Sequence, residues 1–446
     1  MKVLHLPYTF YPDAAGGTEV YVDALARAQR AGGLDAFVAA PAQQEAHYEH
    51  AGLPVWRFPI DAAVRDIREL YGDGDAIAAE GFIRILEAAQ PDLVHMHAFT
   101  AAASLRAVRA AKECGIPVIF SYHTPTVSCQ RGTLLRWGSE VCDGALDVRR
   151  CAQCALHAAG LNQFASRLVG SLPPAAGGFL GNMGFTGGAW TALRMTELIE
   201  LRHAAFRSLM AEADHVIALC EWVKQVLLRN SVPAEKISLC RQGLVQEVLD
   251  DAPPSREQDR EGDRLRIVFL GRLDPTKGVH VLLEALHSVP DLDVHLDIFG
   301  VRQDASGAAY LAQLKNVAGH DARIRFLAPI PAREVIPAIR EYDILAVPSQ
   351  SLETGPLVVL EAFAAGVPVM GSDLGGIAEL VRHDVDGLLV EPRSVSAWAA
   401  AIRGLATESA GLTRLRSNIR RPRRIAEAAQ EIDRLYRRFV PAHAYA

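Results

Sequence analysis

Two glutamates eight residues apart, Glu353 and Glu361, stand in the segment PSQSLETGPLVVLE at 348–361. The first falls in a loop. The second falls inside a helix opening near Pro356, a residue suited to a first helical turn. Two such carboxylates can accept hydrogen bonds from hydroxyl groups at opposite ends of one ligand. Gly355 allows close backbone approach, and N–H groups at Gly355, Leu357 and Val358 would face a phosphate at the helix start. The plainer alternative is a capping carboxylate plus an exposed helix glutamate. A second group is GRLDPTKG at 271–278. Arg272 and Lys277 flank its turn and can converge on a diphosphate, one as a fork and the other as a point charge. It is not a P-loop, because GxxxxGK[ST] is absent; a solvated turn is the alternative. The 46 basic residues include only six lysines, which makes Lys277 less like ordinary surface charge. Gly16 and Gly17, in GGTE before a helical stretch, suit close approach of an anion. They do not form GxGxxG, so a dehydrogenase-type dinucleotide fold loses support.

These residues need elements to carry them. The first half alternates strand-like runs (Val3–Pro7, Ala36–Ala40, Asp92–His97, Ile116–Ser121, His215–Leu219) with helical patterns (Thr18–Ala31, Ala101–Cys114, Thr196–Ala211). His123 follows directly on a strand end, in SYHT. The second half repeats this grammar, with strands at Leu265–Leu270, Val294–Phe299, Ile324–Leu327, Tyr342–Val347 and Val367–Met370. Helices are expected at Gly278–Leu286 and Leu357–Ala365, and a last one over about 422–439. Such alternation predicts α/β architecture, with two doubly wound parallel sheets facing a cleft and ligands beyond the strands' carboxyl ends. The polar, Pro-containing stretch 250–263 reads as the linker. Residues about 125–195 break the rhythm and read as an insertion.

Length and balance narrow the classes further. A chain of 446 residues with net charge -6 and half its residues hydrophobic suggests two or three domains. It is neither a disordered chain nor a dedicated nucleic-acid binder, which would carry a basic face. No secretory signal opens it, and seven cysteines without one point to a reducing cytoplasm.

Together the Glu353/Glu361 pair, Arg272/Lys277, the GGTE turn, His123 and the stretch GSDLGGIAELVRHDVDGLLVEP at 371–392 resemble a retaining GT-B glycosyltransferase of family 4. The likeness spans nearly the whole chain and is strongest over 265–392. It implies two Rossmann-like domains. Residues 1–249 would bind the acceptor, 250–421 the nucleotide sugar, and 422–446 would form a helix crossing back to the first domain. It also implies roles. Arg272 and Lys277 would hold the donor diphosphate, Glu361 the ribose hydroxyls and Glu353 the transferred sugar. Amides around Gly355, Pro356 and Leu357 would touch sugar and phosphate, Gly16 and Gly17 would lie against the diphosphate, and His123 would lie close to the sugar. Without the resemblance, His123 reads equally as a satisfied strand-end histidine. The donor would be a UDP- or GDP-sugar. Two fixed cations and helix-end amides can neutralise the leaving group, so catalysis would need no metal cofactor. Acceptors would be a glycan, a lipid-linked sugar or a small molecule, in polysaccharide or glycoconjugate synthesis. An inactive sugar-nucleotide-binding scaffold and a sugar-nucleotide 2-epimerase are the rival readings.

Two features lie outside that pattern. Cys129, Cys142, Cys151 and Cys154 fall within 26 residues, and four thiolates at such spacing could hold a structural zinc, with His157 as a substitute ligand. An oxidised pair or free thiols are the alternatives. The uncharged stretch from Leu168 to Leu193 is long enough to span a bilayer, but its seven glycines and Pro173-Pro174 suit a surface insert better. That makes a cytoplasmic protein the expectation, with peripheral contact at the inner face of the membrane as an open alternative to a mobile lid.

Overall fold

The computed structural model describes the chain except for residues 14–15, 62–65, 186, 247–263, 302–304 and 441–446. The expected linker at 250–263 lies outside the described residues. Two compact units emerge: Met1–Arg241 together with the segment from Ile425, and Gln242–Arg424.

The first unit is built on strands β1 (Lys2–Leu6), β2 (Asp35–Ala42), β3 (Ala46–His50), β4 (Leu53–Pro59), β5 (Leu93–Met96) and β6 (Val118–Tyr122). A two-stranded ribbon, β7 (Leu135–Arg136) with β8 (Glu140–Val141), lies apart from the main sheet, which β9 (His215–Ala218) and β10 (Ile237–Leu239) complete. The sheet order is β10-β9-β6-β5-β1-β2-β4-β3. Every pairing is parallel except β3 with β4. The order reverses between β1 and β5, the switch point where such sheets leave a crevice at their carboxyl ends.

Side chains alternate across this sheet, as strand geometry requires. Leu4, Leu6, Val94, Met96, Phe120 and Tyr122 enter one core; Val3, Leu93, Ile119 and Ile217 enter the other. The second core is closed by the helix Gly17–Ala31 and the C-terminal helix Ile425–Tyr436, which brings Ala429, Ile432, Leu435 and Tyr436. Burying one such large apolar side chain contributes about 1.5–3 kcal/mol.

The insertion is more regular than its composition suggests. Helices Val148–Ala158, Gln163–Val169, Pro174–Asn182 and Gly188–Leu193 lead into Met195–Glu212. Gly177 lets the third pack closely, since a Cβ there would lie 2.9 Å from that of Glu197. Among the described residues no helix is long and apolar enough to cross a membrane.

The second unit carries β11 (Leu265–Arg272), β12 (Val294–Val301), β13 (Ile324–Leu327), β14 (Ile344–Val347), β15 (Val369–Ser372) and β16 (Gly387–Val390). All pairings are parallel, in the order β13-β12-β11-β14-β15-β16. This is the 3-2-1-4-5-6 order of a doubly wound sheet, with its switch point between β11 and β14. Both faces are buried, one around Leu282, Ile298 and Trp398 and the other around Val268, Val359 and Val369.

Candidate functional site

At the switch point of the second unit, the turn after β11 meets the loop after β14. Arg272 ends β11, and Asp274 caps the short turn Pro275–Lys277 by accepting from the Thr276 amide. The Gln350 amide donates to the Thr276 carbonyl at 2.6 Å, locking the two loops together. Gly278 makes that approach feasible. Its φ is +72°, and a Cβ would fall 1.8 Å from the Pro348 carbonyl oxygen.

Lys277 Nζ then lies 2.7 Å from Glu353 Oε2, with side chains only 21% and 15% exposed, so solvent screens the pair weakly. The Ser349 hydroxyl donates to the other Glu353 oxygen. Burial pushes the Glu353 carboxyl up, but Lys277, the Ser349 hydrogen bond and the charge of Arg272 outweigh it and hold it below the ordinary range. The structure thus brings Arg272, Lys277 and Glu353 to one place. Lys277, expected at a phosphate, is paired with the carboxylate expected at the sugar.

Gly355, at φ +144°, precedes Pro356, which caps rather than begins the helix Leu357–Ala364. Glu361 lies one turn inside that helix. Its Oε1 accepts from Gln246 Nε2 at 3.0 Å, and burial pushes its carboxyl up to about 7. Gln242 Oε1 lies 3.4 Å from where a Gly355 Cβ would be, and the Oε1 atoms of Gln242 and Gln246 are buried without a hydrogen-bond partner. Ser349, Gln242 and Gln246 escaped the sequence reading. The serine four residues before Glu353 was the one available signal.

The other predicted residues belong to the first unit. Gly16 caps the helix Gly17–Ala31, but its amide already donates to Glu19 Oε2 at 2.8 Å, so the expected anion donor is engaged internally. His123 follows β6, is buried, and is held neutral: burial lowers its pKa to about 3. Its Nε2 lies 3.0 Å from His97 Nδ1, and His97 Nε2 lies 2.9 Å from His5 Nδ1. His5, His95 and His97 have ring nitrogens within 4.8 Å of one another, a spacing open to a metal. All six nitrogens are nevertheless engaged. His95 contacts Tyr436 and Ser121, His5 contacts Gln29 and His97, and His97 contacts His123. A metal would have to displace these bonds.

The four clustered cysteines line one pocket and form no disulfide. Among the described residues no three of their sulfurs lie within 4.8 Å of one another. A zinc tetrahedron with bonds of about 2.3 Å needs every sulfur pair at about 3.8 Å. Burial pushes the Cys151 thiol up to about 12 and raises Cys142 and Cys154 as well, which favours neutral thiols. As packed, the quartet is gathered in one pocket but spaced more widely than a bound zinc would hold it, and no disulfide joins any pair of it.

Comparison with known proteins bears on the whole assembly. Residues 16–243 match the family described as Glycosyl transferase 4-like domain, and residues 252–425 match Glycosyl transferases group 1. A D-inositol 3-phosphate glycosyltransferase of Mycobacterium marinum is 32% identical over 220 residues, 47% of this chain and 46% of that protein. The chain spans about half the length of the curated relatives it matches. Among solved structures, Anabaena Alr3699/HepE in complex with UDP and glucose superposes with TM-score 0.64 at 19% identity, covering 98% of this chain and all of that one. Sucrose-phosphate synthase of Thermosynechococcus elongatus gives TM-score 0.67 at 19% identity over 98% and 99% of the two chains.

Proposed function

Because the chain belongs to the GT-B glycosyltransferases of family 4, we propose that it moves a sugar from a nucleoside diphosphate to an acceptor hydroxyl, with retention of configuration and without a divalent metal. The observation that carries this is the meeting of Arg272, Lys277, Ser349 and Glu353 at the switch point of the second unit. Arg272 and Lys277 supply fixed positive charge where a diphosphate leaving group would gather negative charge. The Lys277–Glu353 pair stands in for the ligand. A bound diphosphate takes over the ammonium, and Glu353 becomes free to accept from sugar hydroxyls. Glu361, one turn inside the helix and beside Gln246, accepts from the ribose. The amides at Gly355–Leu357 approach the phosphate side, and His123 meets the sugar.

A UDP-sugar is the first donor to test, ahead of a GDP-sugar, since the Anabaena structure of the same fold holds UDP and glucose. An inositol phosphate is the first small-molecule acceptor, on the likeness to the mycobacterial enzyme. The experiment is release of free nucleoside diphosphate from a donor and acceptor panel. Lys277→Ala should lower kcat by about 100-fold or more, as loss of a transition-state charge partner does. Undiminished turnover would sink the site assignment.

A lipid-linked acceptor at the inner membrane face has its own support. Phe164, Leu168, Phe179 and Met183 are 80%, 68%, 65% and 57% exposed in the insertion. Residues 148–196 contain no Asp or Glu. Exposed apolar groups in an acid-free segment suit an anionic bilayer surface. Flotation with vesicles containing anionic lipid, lost on Leu168→Ser with Phe179→Ser, is the expected outcome; equal flotation of both proteins would count against membrane contact.

A further inference from the structure

A chain of side-chain hydrogen bonds runs through the first unit from the C-terminal helix to His123. Gln29 Nε2 donates to Asp433 Oδ1 at 2.7 Å. Gln29 Oε1 lies 2.8 Å from His5 Nε2. His5 Nδ1 lies 2.9 Å from His97 Nε2, and His97 Nδ1 lies 3.0 Å from His123 Nε2. The three histidines and Gln29 are between 0% and 5% exposed. The links come from four places. His5 sits in β1, His97 directly after β5, His123 directly after β6, and Gln29 in the helix that covers them. The His97 amide is itself tied to the Leu6 carbonyl at 2.9 Å, so the spacing rests on the sheet register.

Such a chain has a direction. A carboxylate only accepts, so Asp433 requires the Gln29 amide N–H to face it, which turns Gln29 Oε1 toward His5. His5 must then carry its proton on Nε2 and present Nδ1 as an acceptor. His97 must carry its proton on Nε2, and its Nδ1 in turn accepts. The only donor left to His123 toward His97 is Nε2–H. A neutral imidazole holds one proton, and burial keeps His5, His97 and His123 neutral. His95 is a side branch rather than a link: Ser121 takes one of its nitrogens and Tyr436, which also bonds Gln29, takes the other.

We propose that Asp433, Gln29, His5 and His97 act as positioning residues that fix His123 as the Nε2–H tautomer, so that Nδ1 meets a substrate hydroxyl as an acceptor. The substrate part rests on the reading of His123 as a sugar-contacting residue; the tautomer part does not. The alternative tautomer would present a donor, which a hydroxyl could meet only with its oxygen as acceptor and not with its proton. A wrong tautomer at a positioned histidine is costly in general.

The test is the long-range nitrogen–proton NMR spectrum of full-length protein labelled in its imidazole nitrogens, with His123 assigned by its loss in His123→Asn. The expected wild-type result at pH 7.5 is protonated Nε2 and unprotonated Nδ1 at His123; a protonated Nδ1 overturns the proposal. Gln29→Leu removes the acceptor for His5 and should let His123 populate both tautomers. It should also lower kcat/KM by about three- to tenfold, the worth of one neutral hydrogen bond, with nucleotide affinity unchanged. The swapped pair Gln29→Glu with Asp433→Asn keeps an acceptor facing His5 and should recover the single tautomer and most of the lost rate. A swap that leaves His123 mixed also overturns the proposal. Where Gln29→Leu does not fold, the wild-type and swapped spectra decide. Full turnover in His123→Ala would remove the sugar-contact reading alone, since the spectra judge the chain separately.

Discussion

At the scale of single residues, the carboxyl of Glu361 offers a signed prediction. Burial raises it from the ordinary 4.5 to about 7, against the opposing hydrogen bond from Gln246. Between those values the native state binds the proton more tightly than the unfolded chain. The contribution of this group to stability therefore falls as pH rises through that window. Glu361→Gln should gain melting temperature relative to wild type at pH 8 but not at pH 4.5, by on the order of a few degrees. On the role proposed for Glu361 at the ribose, it should also weaken nucleotide binding. Equal melting at both pH values would refute the raised carboxyl. Gly278→Ala tests a different physics. The left-handed φ and the crowding against Pro348 predict a loss of about 1–3 kcal/mol or more, read as a lower urea midpoint with a weakened nucleotide response.

At the scale of elements, the strands that hold the site were visible as apolar runs between turn signals, and β11, β12 and β14 fall where the pattern put them, to within a few residues. β3 and β4 were not anticipated. AHYEH is polar, and only its antiparallel pairing with β4 makes it a strand. The helix Pro174–Asn182 was hidden by its glycines, which disfavour helix locally. It forms against Met195–Glu212, and Gly177 is the point of crossing. Gly177→Leu should therefore abolish hydrogen-exchange protection across 174–182 while nucleotide affinity stays as it was. Retained protection would show that the helix does not depend on this crossing. Of the site, the charged residues were legible because scarcity and spacing mark them. The histidine chain was not, because VHMH reads as one strand among others. Its signal was a histidine at alternate positions of strands buried on both faces, where apolar residues are the rule.

At the scale of the whole molecule, four of the predicted donor residues, Arg272, Lys277, Glu353 and Glu361, lie within Gln242–Arg424, while Gly16 and Gly17 belong to the first unit. A nucleotide at 100 times its Kd should stabilise the second unit by about 2.7 kcal/mol. Calorimetry with and without UDP should move the unfolding transition of the second unit more than that of the first; equal movement of both would contradict a donor site built mainly on Arg272, Lys277, Glu353 and Glu361. The first unit carries another consequence. Its core under the helix Gly17–Ala31 is covered in part by Ala429, Ile432, Leu435, Tyr436 and Val440, which are translated after the entire second unit. At about 5–20 residues per second, the ribosome leaves that apolar surface uncovered for roughly 10–40 s. The second unit can fold on the way. The first waits for the helix Ile425–Tyr436, so a nascent chain stalled before residue 425 should hold a finished second unit and an unfinished first, a natural substrate for chaperones and proteases.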